Sequence, residues 1–157
     1  MPRKKEVLVL ALETSSPVMS VALKKGDLVL EKKVAGLGLS AHVRFAGYID
    51  EAEKVDHYRL ADAFILLSRG EGFGIVLLEA AACGISLVAS KADASCEALG
   101  NGEMSVLVDP KNPVETKSGI LQALKPSNRD AVKGIHKFSY ESFALRLRRL
   151  LNQTVNP

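Results

Sequence analysis

Ser68-Arg69-Gly70-Glu71-Gly72-Phe73-Gly74-Ile75-Val76-Leu77-Leu78-Glu79-Ala80 is the stretch whose reading decides the fold. The apolar run that leads into it, Ala63 to Leu67, reads as a strand. Glycines at 70, 72 and 74 then make a turn, and Ile75 to Cys83 has good helix formers and no breaker. Strand, glycine turn, helix is the order in which an α/β sheet offers a helix N-terminus to an anion. Free backbone N–H groups around Phe73 to Val76 would face that anion, and the helix dipole adds partial positive charge there.

Two carboxylates bracket the turn. Glu71 lies in the loop, and Glu79 lies roughly 6–8 Å along the helix axis from its start. Around Glu79 the helix is apolar on every side (Ile75, Val76, Leu77, Leu78, Ala80, Ala81, Ala82), which predicts a buried helix. A carboxylate on a buried helix is costly unless something pairs with it. Glu79 therefore bonds a nearby N–H or basic side chain, or accepts hydrogen bonds from ligand hydroxyls. Glu71 is either a solvated loop charge beside Arg69 or a ligand contact.

The spacing Glu71, seven residues, Glu79 carries a resemblance. With Glu71-Gly72-Phe73-Gly74 at its start and Ala82-Cys83-Gly84 after Glu79-Ala80, it resembles the nucleotide-sugar site of retaining GT-B glycosyltransferases. The likeness runs from about residue 43 to 152, and Val108-Asp109-Pro110 and Phe138-Ser139-Tyr140 continue it. It implies that Glu71 contacts the transferred sugar in the catalytic position and that Glu79 holds the nucleotide ribose. The donor-binding set is then Gly72, Phe73, Gly74, Ile75, Val76 and Glu79. The donor is a nucleotide-diphosphate sugar, with no further cofactor and no metal. The sequence departs from the family at Gly84-Ile85-Ser86-Leu87-Val88, where a proline usually follows the glycine by two, and at Ala94-Ser95. No residue matches the family's Arg and Lys pair that neutralises the diphosphate, and its acceptor-binding domain has no counterpart. The expectation is a partial donor-binding domain with little or no turnover by itself.

Working outward, Val43 to Ala46 reads as a short strand and Asp50 to Ala61 as an amphipathic helix with Val55, Tyr58 and Ala61 on one face. Downstream follow a strand at Ile85 to Ala89, a short helix at Ser95 to Leu99, a turn at Asn101-Gly102 and a strand at Ser105 to Val108. A helix at Val114 to Leu124 has Val114, Leu121 and Leu124 on one face. A last helix at Ser139 to Leu151 carries the apolar stripe Tyr140, Phe143, Leu147, Leu150 and Leu151. Alternating strands and helices imply a parallel, Rossmann-like sheet flanked by helices, with ligands beyond the carboxyl ends of its strands.

The opening differs. Val7 to Leu12 reads as a central strand, Met19 to Leu23 as a second and Leu28 to Val34 as a third, an antiparallel three-stranded meander added to the sheet. Leu10-Ala11-Leu12-Glu13-Thr14-Ser15-Ser16-Pro17 with Ser20-Val21-Ala22-Leu23 resembles the start of the dimerisation subunit in threonylcarbamoyl modification of tRNA, which has an actin-like, RNase-H-like fold. The resemblance covers about residues 6–42 and implies a protein partner or homodimer through the meander. Glu13, Thr14 and Ser15 match the phosphate-facing positions of ATP-binding relatives, and an ordinary hairpin turn is the alternative. The two resemblances together read as a chimera with two parts, 1–42 and 43–157. The alternative functions are a subunit-pairing role or a folded chimera without activity.

Composition narrows the classes. The 157 residues are 47% hydrophobic and 25% charged, which is globular. A formal net charge of +3 is too weak to argue for nucleic acid. Cys83 and Cys96 have no metal-binding spacing, Cys83 reads as a small buried hydrophobe, and a reduced, cytoplasmic setting is expected. No apolar run has membrane-spanning length.

Overall fold

The computed structural model describes residues 9–11, 35–43, 46, 49–68, 72–92, 94–125 and 134–155. Among them four strands form one parallel sheet in the order β1 (Val9–Ala11), β2 (Ala63–Leu66), β3 (Ser86–Ser90), β4 (Val106–Val108). Between and after the strands lie helices α1 (Lys54–Leu60), α2 (Ile75–Ala82), α3 (Ser95–Ala98), α4 (Pro113–Ala123) and α5 (Tyr140–Val155). Single 3-10 turns occupy Gly100–Gly102 and His136–Phe138. The expected parallel sheet flanked by helices is present.

Register explains the two layers. Phe64 stands opposite Leu87 and Leu66 opposite Ala89, while Ile65 stands opposite Val88 and Val88 opposite Val106. Successive side chains leave a strand on opposite faces. One face therefore gathers Phe64, Leu66, Leu87 and Ala89 against Tyr58 of α1 and Leu77, Ala80 and Ala81 of α2. The other gathers Ala63, Val88 and Val108 against Ala123 of α4, with Ile65, Val106 and Ile120 partly buried beside them. All five residues of β3 are buried, as a strand covered on both faces requires.

Several expectations need correction. Val7 to Leu12 was read as a central strand; the described part, Val9–Ala11, stands at the sheet edge among the described residues, parallel to β2. The other two strands of the antiparallel meander, at 19–23 and 28–34, lie outside the described residues, as do Glu13, Thr14 and Ser15. Half of the strand expected at Val43 to Ala46, residues 44–45, does too, and Val43 and Ala46 are not in a strand. Of the apolar face expected on α4, only Leu124 packs against the core. Val114 is 79% and Leu121 56% exposed, whereas Gly119 and Ala123 are buried. The small residues set that face because a side chain at Gly119 would collide with Cγ1 of Val108. Nor is α2 buried all round: Leu77, Ala80 and Ala81 are buried, but Ile75 is 63% exposed and Ala82 is exposed. A helix lying on one face of a sheet has a single stripe covered by it. Cys83 is only partly buried, at the end of α2. The stripe on α5 is present but exposed at Tyr140, Phe143, Leu147, Leu150 and Leu151.

Candidate functional site

The glycine turn leads from the carboxyl end of β2 into α2. Gly74 is the N-cap residue, with φ 74° and ψ 51°. Left-handed backbone of this kind costs an ordinary residue roughly 1–2 kcal/mol, so the turn needs glycine at that point. Glycine at the N-cap brings no side chain of its own to cap α2. The Leu77 N–H donates to the Gly74 carbonyl at 2.9 Å, so the Ile75 and Val76 amides head the helix. Phe73 is about half exposed, and its ring meets that of Phe138. Gly72, Phe73, Gly74, Ile75 and Val76 are thus brought together at one helix end. Glu71 lies outside the described residues.

Glu79 sits one turn further along α2, about 6 Å up the axis. Its side chain is 32% exposed, neither buried nor turned out into bulk water. Two residues of α1 hold it. The Tyr58 hydroxyl donates to Oε2 at 2.9 Å. The Lys54 ammonium lies 3.1 Å from both Oε1 and Oε2. Lys54 also meets Glu51 at 2.6 Å, so one ammonium bridges two carboxylates. Residues 54 and 58 are one helical turn apart and therefore share a face. The pairing of Glu79 with a basic side chain was one of its two sequence readings. Its particular partners were not anticipated, although a lysine and a tyrosine four apart on the preceding helix are a visible signal.

The electrostatics follow from these contacts. Burial pushes the Tyr58 phenol well above its ordinary value, and its hydrogen bond to Glu79 pushes the same way. The Lys54 ammonium is held above the usual lysine value, chiefly by its bond to Glu51, with Glu79 adding and partial desolvation opposing. The phenol therefore stays protonated as a donor and the ammonium stays charged. A hydrogen bond to a charged group contributes about 1.5–3 kcal/mol. Tyr58 is fully buried, and its ring packs edge-on against Phe64 of β2, centroids 5.5 Å apart.

Ser90 and Lys91, at the carboxyl end of β3, are occupied within the protein. The Ser90 hydroxyl accepts from the Ala92 N–H, and Lys91 pairs with Glu115 at 2.8 Å. On the opposite face of the sheet an open apolar groove is lined by Leu67, Pro113, Ile120 and neighbours, and shares no residue with the Glu79 network. Among the described residues no cluster of His, Cys, Asp or Glu could hold a metal, and no helix is long and apolar enough to cross a membrane.

Comparison with known proteins bears on the family and the fold. The family described as "Glycosyl transferases group 1" matches residues 23–137, starting ahead of the expected junction near 43. A D-inositol 3-phosphate glycosyltransferase of Catenulispora acidiphila is 30% identical over 149 residues, covering 91% of this chain and 34% of its own. The sucrose-phosphate synthase of Thermosynechococcus elongatus superposes with a TM-score of 0.66 at 26% identity, covering 94% of this chain and 38% of its own. Anabaena HepE, solved in complex with UDP and glucose, superposes at 0.71 with 20% identity and the same 94% coverage, over 40% of its own chain, a likeness of fold. The chain spans about a third or less of the curated relatives it matches.

Proposed function

The chain belongs to the group 1 glycosyltransferase family, and from that premise we propose that it grips a nucleotide-diphosphate sugar at the N-terminal end of α2. The Ile75 and Val76 amides, with the Gly72–Gly74 turn, meet the diphosphate. Glu79 accepts hydrogen bonds from the ribose hydroxyls, and Glu71 contacts the sugar. In the full reaction of this reading the sugar passes to an acceptor with retention of configuration. This chain by itself binds the donor and turns it over little or not at all, because no stretch of its sequence matches the family's diphosphate-neutralising pair, and such electrostatic stabilisation is often the largest catalytic term.

One observation carries the reading: a one-third exposed carboxylate, fixed by two partners, stands one turn above a helix start led by a left-handed glycine. Glycine geometry lets a ligand approach that start closely. The HepE complex with UDP supports the choice of nucleotide as a probe. Calorimetry with UDP, GDP, UDP-glucose and GDP-mannose tests it. We expect binding by the wild type that Glu79→Ala weakens by on the order of tenfold or more, the value of a lost hydrogen bond to a charged group. Equal binding by both proteins would remove Glu79 from the site.

A further inference from the structure

We propose that Tyr58 is a positioning residue for nucleotide recognition: it fixes one oxygen of Glu79 so that the carboxylate meets ribose hydroxyls in a single orientation. The inference rests on the ribose role of Glu79 proposed above and adds the residue that makes that role selective.

The argument is geometric. A glutamate on a helix has three side-chain torsions to settle, and a half-exposed one samples several rotamers. The Tyr58 ring cannot move with it. It is fully buried, and it packs edge-on against Phe64, itself fully buried in β2. The hydroxyl at its tip lies 2.9 Å from Oε2. Strand β2, through Phe64 and Tyr58, therefore fixes the acceptor on α2. The same strand feeds the glycine turn, so diphosphate donors and ribose acceptor share one rigid reference.

Lys54 acts differently. Its ammonium sits equally far from both oxygens and is shared with Glu51. It neutralises the carboxylate without choosing between its oxygens. A carboxylate offers about four acceptor directions. Tyr58 takes one on Oε2 and Lys54 reaches across both oxygens, which leaves acceptor capacity on the exposed side. Paired hydroxyls on adjacent carbons suit that capacity, whereas a nucleotide lacking them gains nothing from it.

The test compares UDP and GDP with their 2′,3′-dideoxy counterparts, on wild type, Tyr58→Phe and Glu79→Gln. The wild type should prefer the ribonucleotide by on the order of tenfold. Glu79→Gln should erase most of that preference, and so should Tyr58→Phe, while Tyr58→Phe binds the dideoxy nucleotide as the wild type does. A Tyr58→Phe protein that keeps the full preference, beside a Glu79→Gln protein that loses it, overturns the positioning role and leaves the site assignment standing. Loss of dideoxy binding in Tyr58→Phe also overturns it, because the tyrosine is then a general structural support. A wild type with no ribose preference overturns the assignment of Glu79 itself.

Discussion

The ring of Phe73, in the glycine turn, meets the ring of Phe138 edge-on, with centroids 6.0 Å apart and planes at 76°. Phe138 ends the 3-10 turn that leads into α5. The proposed diphosphate-binding turn is therefore braced by the 3-10 turn ahead of α5, some sixty residues on. Edge-to-face pairs contribute about 0.5–1.5 kcal/mol beyond burial. Phe138→Ala should raise amide hydrogen exchange across Gly72 to Val76 several-fold with little change in β3. Unchanged exchange there would mean that the contact does not restrain the turn.

Gly74→Ala should cost stability and binding together. The residue sits at φ 74°, where a Cβ adds roughly 1–2 kcal/mol. Relief of that strain would rotate the amides that head α2. Urea denaturation should show the stability loss, and calorimetry with UDP or GDP a larger fractional loss of affinity than of stability.

Gly119→Ala tests the close approach of α4 to the sheet. A methyl there collides with Cγ1 of Val108 and stands 3.2 Å from Cγ1 of Val106. Both partners are stiff, β-branched side chains of one strand. Overpacking of this kind costs about 1–3 kcal/mol, to be read from the urea midpoint. A change under a few tenths would show that the helix can slide away.

How much of this was legible follows from these positions. The strand at 63–66 and the helix at 75–82 lie within a residue of their expected bounds, because short apolar runs were punctuated by glycines. The face of α4 was not legible. Large Val114 and Leu121 attract a periodicity argument, yet the sheet is met by Gly119 and Ala123, and close approach is invisible to a count of apolar side chains. Tyr58 was placed on its helix face, but its bond to Glu79 joins residues 21 apart and needs the fold to exist. For the first strand, an apolar run reports burial and not its neighbours, so its place beside β2 was not legible.

Asn112 caps α4. Its side-chain oxygen accepts from the N–H groups of Val114 at 3.2 Å and Glu115 at 3.1 Å. Asn112→Ala should lower stability by about 1 kcal/mol, and Asn112→Asp should preserve it, since a carboxylate accepts the same bonds and suits the helix dipole. Thermal melts of the three proteins at neutral pH decide the matter.

The pH dependence of stability has a definite sign on the alkaline side. Tyr58 and Lys54 both titrate above their ordinary values in the folded chain. The unfolded chain therefore loses these protons first as pH rises. Their contribution is fully present below about pH 10, the ordinary tyrosine range, and is lost as pH climbs through the folded values. The urea midpoint of the wild type should fall more steeply above that pH than that of Tyr58→Phe. Parallel profiles would mean that the buried phenol ionises as easily as a free one.

The register of Val9 with Ala63 has a consequence for biosynthesis. The first strand leaves the ribosome well before its partner is made. At synthesis speeds of about 5–20 residues per second, the interval is several seconds. Through that time an apolar segment waits without β2, and afterwards it covers one rim of that strand. Nascent-chain capture by chaperones should therefore concentrate on the opening residues, and a chain begun after them should display a bare, adhesive rim.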